Sequence, residues 1–235
     1  MIVYYACYTI EHNTDLNSLM ADIKSPTGGA NIPLDWAKAP NGVIRCPAFA
    51  SSVKNTYVAR SPITYSFTLD KASGTVSSDM YSQEEFDEFL ELRDPTSGVV
   101  TFGFPRYAFY CEQPLVMGVG AANYHKNEFT NKATFLGAEY NIGKHLRFTE
   151  TAFVAKESGT ITIKENDPLF YVRFFTEEPV KLVPFLYTDK LSMYGGKVLK
   201  SNRYGGSKPL KFWYDIHERM YRKSILKEIK NNLLG

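Results

Sequence analysis

Ile63-Thr64-Tyr65-Ser66-Phe67-Thr68-Leu69 alternates an apolar or aromatic residue with a hydroxyl residue at every step. Ile63, Tyr65, Phe67 and Leu69 therefore share one face, and Thr64, Ser66 and Thr68 the other. A period of two marks a half-buried strand, because successive side chains of an extended chain point to opposite faces. Strand-length runs of the same texture recur outward from this stretch. Met1 to Ile10 (MIVYYACYTI) is dense in β-branched and aromatic residues without a helical period, and Thr56 onward forms a companion strand before Ser61-Pro62. Val99 to Val119 (VVTFGFPRYAFYCEQPLVMGV) reads as two or three strands punctuated by Pro105 and Pro114, which suit edges or bends. Further strands are expected over 133–139, 146–155, 160–164, 169–175 and 180–185.

Helical signals are sparse. Ser82 can cap a helix while Glu85 reaches back to it, and Phe86, Phe89 and Leu90 supply an apolar stripe. This spacing predicts a helix over 82–92 that stops at Asp94-Pro95. Leu16, Leu19, Met20 and Ile23 suggest a short helix over 15–23, broken by Ser25-Pro26-Thr27-Gly28-Gly29. Pro33, Pro40 and Pro47 argue for irregular chain, with a brief strand over 43–46 that Pro47 ends. A terminal helix is expected from about Pro209 to Leu234. Its apolar residues Trp213, Ile216 and Met220 share one face, whereas Leu226, Ile229 and Leu233 lie about half a turn away. Either the helix breaks near Ser224 or it has two partners. The expected fold is mainly β: an antiparallel β-sandwich or jelly-roll-like barrel with one short internal helix and a C-terminal helical extension. The expected division is a β domain over 1–190 and a basic linker with the C-terminal helix over 191–235.

Composition agrees with a folded β-rich chain, with 16 Phe and 16 Tyr against 2 Trp, and aromatic residues favour pleated surfaces. Cys7, Cys46 and Cys111 are too few and scattered for a disulfide framework, which points to a reducing compartment. Cys46 and Cys111 read as small core residues. The first ten residues carry no basic region, and no run approaches 18 apolar residues, so neither export nor a membrane span is expected. Charge is unevenly placed. From Lys190 to Gly235 there are eleven Lys or Arg against three Asp or Glu, leaving residues 1–189 at about −6 within a net charge of +2. Such asymmetry fits a tail that meets an acidic partner, or a basic helix docked on its own acidic domain.

Chemistry is hard to place. His12, His125, His145 and His217 form no ligand pattern, there is no Gly-x-Ser-x-Gly elbow, and Gly118-Val119-Gly120 lacks the spacing of a phosphate loop. No catalytic, cofactor or metal residue is assigned. Phe170, Tyr171, Phe174 and Phe175 with Arg173 could stack bases but read better as core. The candidate partner-binding residues are Lys208, Lys211, Trp213, Arg219, Arg222, Lys223 and Lys227, which implies a protein partner or self-association through the C-terminal helix. Nucleic acid is the alternative partner if these basic residues share a face; no membrane partner is expected.

Ile161-Thr162-Ile163-Lys164-Glu165-Asn166-Asp167-Pro168-Leu169-Phe170-Tyr171-Val172-Arg173-Phe174 reads as strand, acidic turn and return strand. It resembles the corresponding part of an uncharacterised domain family of tailed phages, common in phages of marine cyanobacteria. Asn31-Ile32-Pro33-Leu34 with Trp36, Cys46-Pro47, Thr101-Phe102-Gly103-Phe104-Pro105 and Asn141-Ile142-Gly143 leading to Arg147 are similar in the same order, over roughly residues 30–190. The resemblance implies a phage origin and a location in host cytoplasm or virion, with no catalytic residues to carry over. The same turn more loosely resembles the last hairpin of cupin and deoxyuridine-triphosphatase-like β folds, although the cupin histidine cluster is absent. The favoured expectation is a non-enzymatic virion component or accessory protein-binding module. The rival is a cupin-like or triphosphatase-like small-molecule or nucleotide enzyme, with Arg147, Arg173 and a carboxylate lining a barrel mouth.

Overall fold

The computed structural model describes residues 1–8, 46–61, 63–94, 97–103, 106–149, 151–195 and 209–234. The helix expected over 15–23 lies outside them, as does all of the brief strand over 43–46 except Cys46, which is not in a strand. Fourteen strands occur among the described residues: β1 (Ile2–Tyr8), β2 (Thr56–Arg60), β3 (Tyr65–Asp70), β4 (Thr75–Ser77), β5 (Leu90–Asp94), β6 (Val99–Phe102) and β7 (Arg106–Cys111), then β8 (Val116–Ala121), β9 (Ala133–Leu136), β10 (Ala138–Asn141), β11 (Ala152–Ala155), β12 (Gly159–Ile163), β13 (Pro168–Phe174) and β14 (Lys181–Pro184). Four helices accompany them: α1 (Pro47–Val53), α2 (Gln83–Phe89), α3 (Glu128–Lys132) and α4 (Leu210–Asn231), with a further helical stretch over 189–195.

The strands form four open sheets of order β14-β1-β7, β10-β8-β13-β2, β5-β6-β11-β9 and β12-β3-β4. The fold is mainly β and sandwich-like, and no closed barrel forms among the described residues. All pairings are antiparallel except β1 with β14. Tyr65, Phe67 and Leu69 of β3 and Ile161 and Ile163 of β12 point into one core that all four sheets share, together with Phe102, Phe109, Phe153, Leu169, Phe170 and Phe174. The alternation that opened the sequence is thus the inward face of β3, and Ser66 and Thr68 meet Thr162 and Thr160 on the outward face, oxygen to oxygen at 3.2 and 2.8 Å.

The sheet β14-β1-β7 is covered on both faces, which explains why its strands read as continuous apolar runs. Val3 and Tyr5 with Tyr107, Phe109 and Cys111 enter the shared core. Tyr4 and Ala6 with Ala108 and Tyr110 face the other way, into a second cluster with Phe185, Leu191 and Tyr194 and with Ile225 and Ile229 of α4.

Local details correct several expectations. The cap at Ser82 is present, but the helix it starts ends at Phe89, and Leu90–Asp94 pairs with β6 as a strand because Leu90 and Leu92 alternate inward. Cys46 is exposed and precedes α1, so Pro47 opens a helix, where its missing N–H costs nothing. α1 and α3 add to the one internal helix expected; at seven and five residues they are too short to show a helical period. The stretch 133–139 is two strands parted at Gly137, and among the described residues of 146–155 only Ala152–Ala155 is a strand. The turn after β12 places Asn166 at φ 66°, a left-handed conformation that asparagine tolerates. Its backbone is tied to Ser61, with Asn166 N–H donating to the Ser61 carbonyl (2.8 Å) and Ser61 N–H to the Asp167 carbonyl (2.9 Å).

Candidate interaction surface

Pro209 precedes α4 with extended backbone, and the helix runs unbroken for 22 residues, about 33 Å at 1.5 Å per residue. It does not break near Ser224, so the two apolar sets face different surroundings. Ile225 and Ile229 are fully buried against Tyr4, Ala108, Tyr110 and Phe185, with Tyr221 and Leu226 alongside. Toward the start of the helix, Tyr214 tilts against His145 at 4.2 Å, its hydroxyl accepts from Arg147 Nη1 at 2.8 Å, and buried His217 tilts against Tyr221 at 4.7 Å.

Charged groups edge this inner face. Lys230 pairs with Glu112 at 2.6 Å, and Lys190 with Glu228 at 2.7 Å. These lysine hydrogen bonds are the first cause holding each carboxyl below its ordinary range. Arg222 pairs with Glu218 at 3.2 Å and also donates to the Glu112 carbonyl, while Lys144 approaches Glu218 at 3.8 Å.

The outer face differs in kind. Arg219, Lys223 and Lys227 recur every four residues, are exposed, and make no ion pair among the described residues. They form a strip about 12 Å long. Met220, 63% exposed, lies beside it, and Phe212, 40% exposed, stands near its start. The structure therefore sorts the candidate residues. Arg219, Lys223 and Lys227 come together; Arg222 is engaged at the inner rim; Lys211 is exposed near the first turn; and Lys208 lies outside the described residues. Trp213 is half-buried, with its indole N–H enclosed and unmatched by an acceptor among the described residues, and its ring is edge-on to Phe212 at 5.3 Å. Glu112, Tyr214, Glu218 and Glu228 were missed by sequence reasoning; only the four-residue spacing of Glu218 and Arg222 signalled one of these contacts.

Two clefts bear on the enzyme alternative. One of about 290 Å³ is lined by Arg93, Arg106, Arg147, Thr149, Tyr187 and Ser192 among others. A smaller one of about 140 Å³ lies between Arg147, Glu139, His145 and Tyr214. Arg173 lines neither: it donates to the Ser51 carbonyl at 3.2 Å and lies over Phe175 at 5.3 Å. The two arginines that the enzyme alternative paired are thus in different surroundings. Among the described residues no three His, Cys, Asp or Glu side chains gather as metal ligands, and no helix is long and apolar enough to cross a membrane.

No family model, curated protein or solved structure matches the chain. The surface chemistry of α4 and the clefts must therefore stand on their own geometry.

Proposed function

We propose that the chain is a non-enzymatic assembly protein that binds a protein partner through the outer face of α4, in a virion of the tailed-phage kind implied by the resemblance. The observation that carries this reading is the pairing of solvent-facing Met220 with the unpaired strip Arg219, Lys223 and Lys227 on a helix whose opposite face is already packed. Aromatic residues, Met and Arg are enriched at protein interfaces, whereas an exposed apolar group with no partner has nothing to gain from water.

Nucleic acid is the second reading, because three cations do share a face. Two magnitudes weigh against it. Three phosphate contacts give a salt slope of only about −3, weak beside the six to ten contacts of strong binders. Residues 1–189 carry about −6, which repels a polyanion. The enzyme alternative has less behind it, since Arg147 at the cleft is held by the Tyr214 hydroxyl and the Phe148 carbonyl.

The test is the protein's copy number in purified particles of its phage, measured by quantitative mass spectrometry for wild type and for Met220→Asp with Lys223→Glu. The expected result is a fixed copy number that the double variant loses. Wild-type protein found only in the soluble lysate would overturn the reading, and steep salt-dependent binding to random DNA would replace it with the nucleic-acid one.

A further inference from the structure

The partner of α4 is written into the same chain. Residues 79–94 hold seven Asp or Glu against one Arg, and Asp79, Glu84, Asp87 and Glu91 are exposed. Of these, Asp87 lines a groove of about 340 Å³ between α2 and β4, with Val76, Gln83, Phe86, Leu90 and Leu92, and Glu84 follows Gln83 on α2, whereas Glu91 lines the 290 Å³ cleft instead. Phe86 and Leu90 are buried in its floor, Val76 and Leu92 are half-buried, and Met80, in the turn leading to α2, is 55% exposed. β4 is the edge strand of its sheet, so no further strand covers this side of the groove among the described residues. The groove thus has an apolar floor, and its α2 side carries Asp87 with exposed Glu84 beside it. The outer face of α4 has the opposite dress, with Phe212 and Met220 for apolar contact and Arg219, Lys223 and Lys227 for charge.

We infer that the outer face of α4 from one copy docks in the α2–β4 groove of a second copy. This rests on the assembly reading of α4 given above and names its partner. An amphipathic helix laid in a groove is a recurrent recognition mode, with apolar anchors in the groove and charges along its rim. Complementary charge supplies register and rate of encounter, and the apolar contacts supply most of the adhesion. α4 within its own chain is held by Ile225 and Ile229 against the β14-β1-β7 sheet, so the contact is between copies. The two surfaces are different patches, which makes the contact heterologous. Each copy offers one helix and one groove, and such contacts propagate into a ring if the rotation closes and into a filament if it does not.

The experiment is a charge swap on the full chain, read by sedimentation velocity at about 0.1 M and about 1 M salt, where the Debye length falls from about 10 Å to about 3 Å. Wild type should associate at low salt and measurably more weakly at high salt. Lys223→Glu with Lys227→Glu gives a chain with acidic groove and acidic helix; Glu84→Lys with Asp87→Lys gives one with both basic. Each should associate at least about tenfold more weakly than wild type, with an unchanged circular dichroism spectrum. Mixed together they should assemble again, because helix and groove are then complementary in both directions. A monomeric wild type at low salt, or two variants whose mixture stays monomeric, overturns the inference. Loss of association in the helix variant but not in the groove variant also overturns it, because α4 then docks on a different surface of the second copy.

Discussion

His125 and Tyr171 show how one pair of side chains couples burial to proton binding. The Tyr171 hydroxyl accepts from the Tyr124 N–H at 3.2 Å and shares a hydrogen bond of 2.6 Å with His125 Nδ1. Burial first, and Arg60 second, push the imidazole down to about 4. An unfolded histidine takes up a proton near about 6.5, so between about 6.5 and about 4 the unfolded chain binds the additional proton. Stability should therefore be fully present above about 6.5 and fall as pH drops toward about 4. Urea midpoints across that window check this, with His125→Gln expected to flatten the upper part of the slope. Parallel slopes for wild type and variant would clear His125 of the effect. Gly143 makes the complementary point about space: a Cβ there would collide with the Gln113 carbonyl and lie 2.8 Å from the Leu115 nitrogen. The Asn141-Ile142-Gly143 motif is thus a requirement for close backbone approach.

Among the elements, α2 is the one whose start was legible and whose end was not. Ser82 Oγ accepts from Glu85 N–H at 3.4 Å, and Glu85 Oε2 accepts from Ser82 N–H at 3.0 Å, so two otherwise unsatisfied donors are met by side chains close in sequence. Ser82→Ala should cost about 1 kcal/mol in urea unfolding, with unchanged dependence on denaturant. A loss below a few tenths would make the cap irrelevant to stability. The end at Phe89 was hidden because Phe86, Phe89 and Leu90 satisfy a helical period, while Leu90 and Leu92 equally satisfy a strand; the neighbour β6 decides between them. α4 was legible in length but not in orientation. Its apolar residues were visible in two sets, yet that Ile225 and Ile229 go inward and Met220 outward depends on Tyr110 and Phe185, which are distant in sequence. The basic residues were likewise visible as a group, and the loss of Arg222 from the outer strip depends on Glu218 and Glu112.

Taken whole, the molecule has a sheet sealed on one face by the core the four sheets share and on the other by α4 together with Leu146, Leu191 and Tyr194, so α4 is more than a carrier of charge. Removing residues 209–235 should uncover Tyr4, Tyr110, Phe185 and Leu191, which now form its bed. The expected result is a lowered melting temperature and increased binding of a hydrophobic dye. A truncated chain that melts with wild type and binds no dye would show that the bed closes over without the helix.

The parallel pairing of β1 with β14, Ile2 opposite Lys181, has a consequence for the order of events during synthesis. Of these three strands β1 leaves the ribosome well ahead of β7, and β14 follows later still. Until then an aromatic, β-branched strand has two unsatisfied edges and two uncovered faces, the kind of segment that recruits wrong partners. Loop-closure entropy makes such distant pairings slow. The nascent chain is accordingly exposed to misassembly until β14 has paired and α4 has covered the sheet's second face.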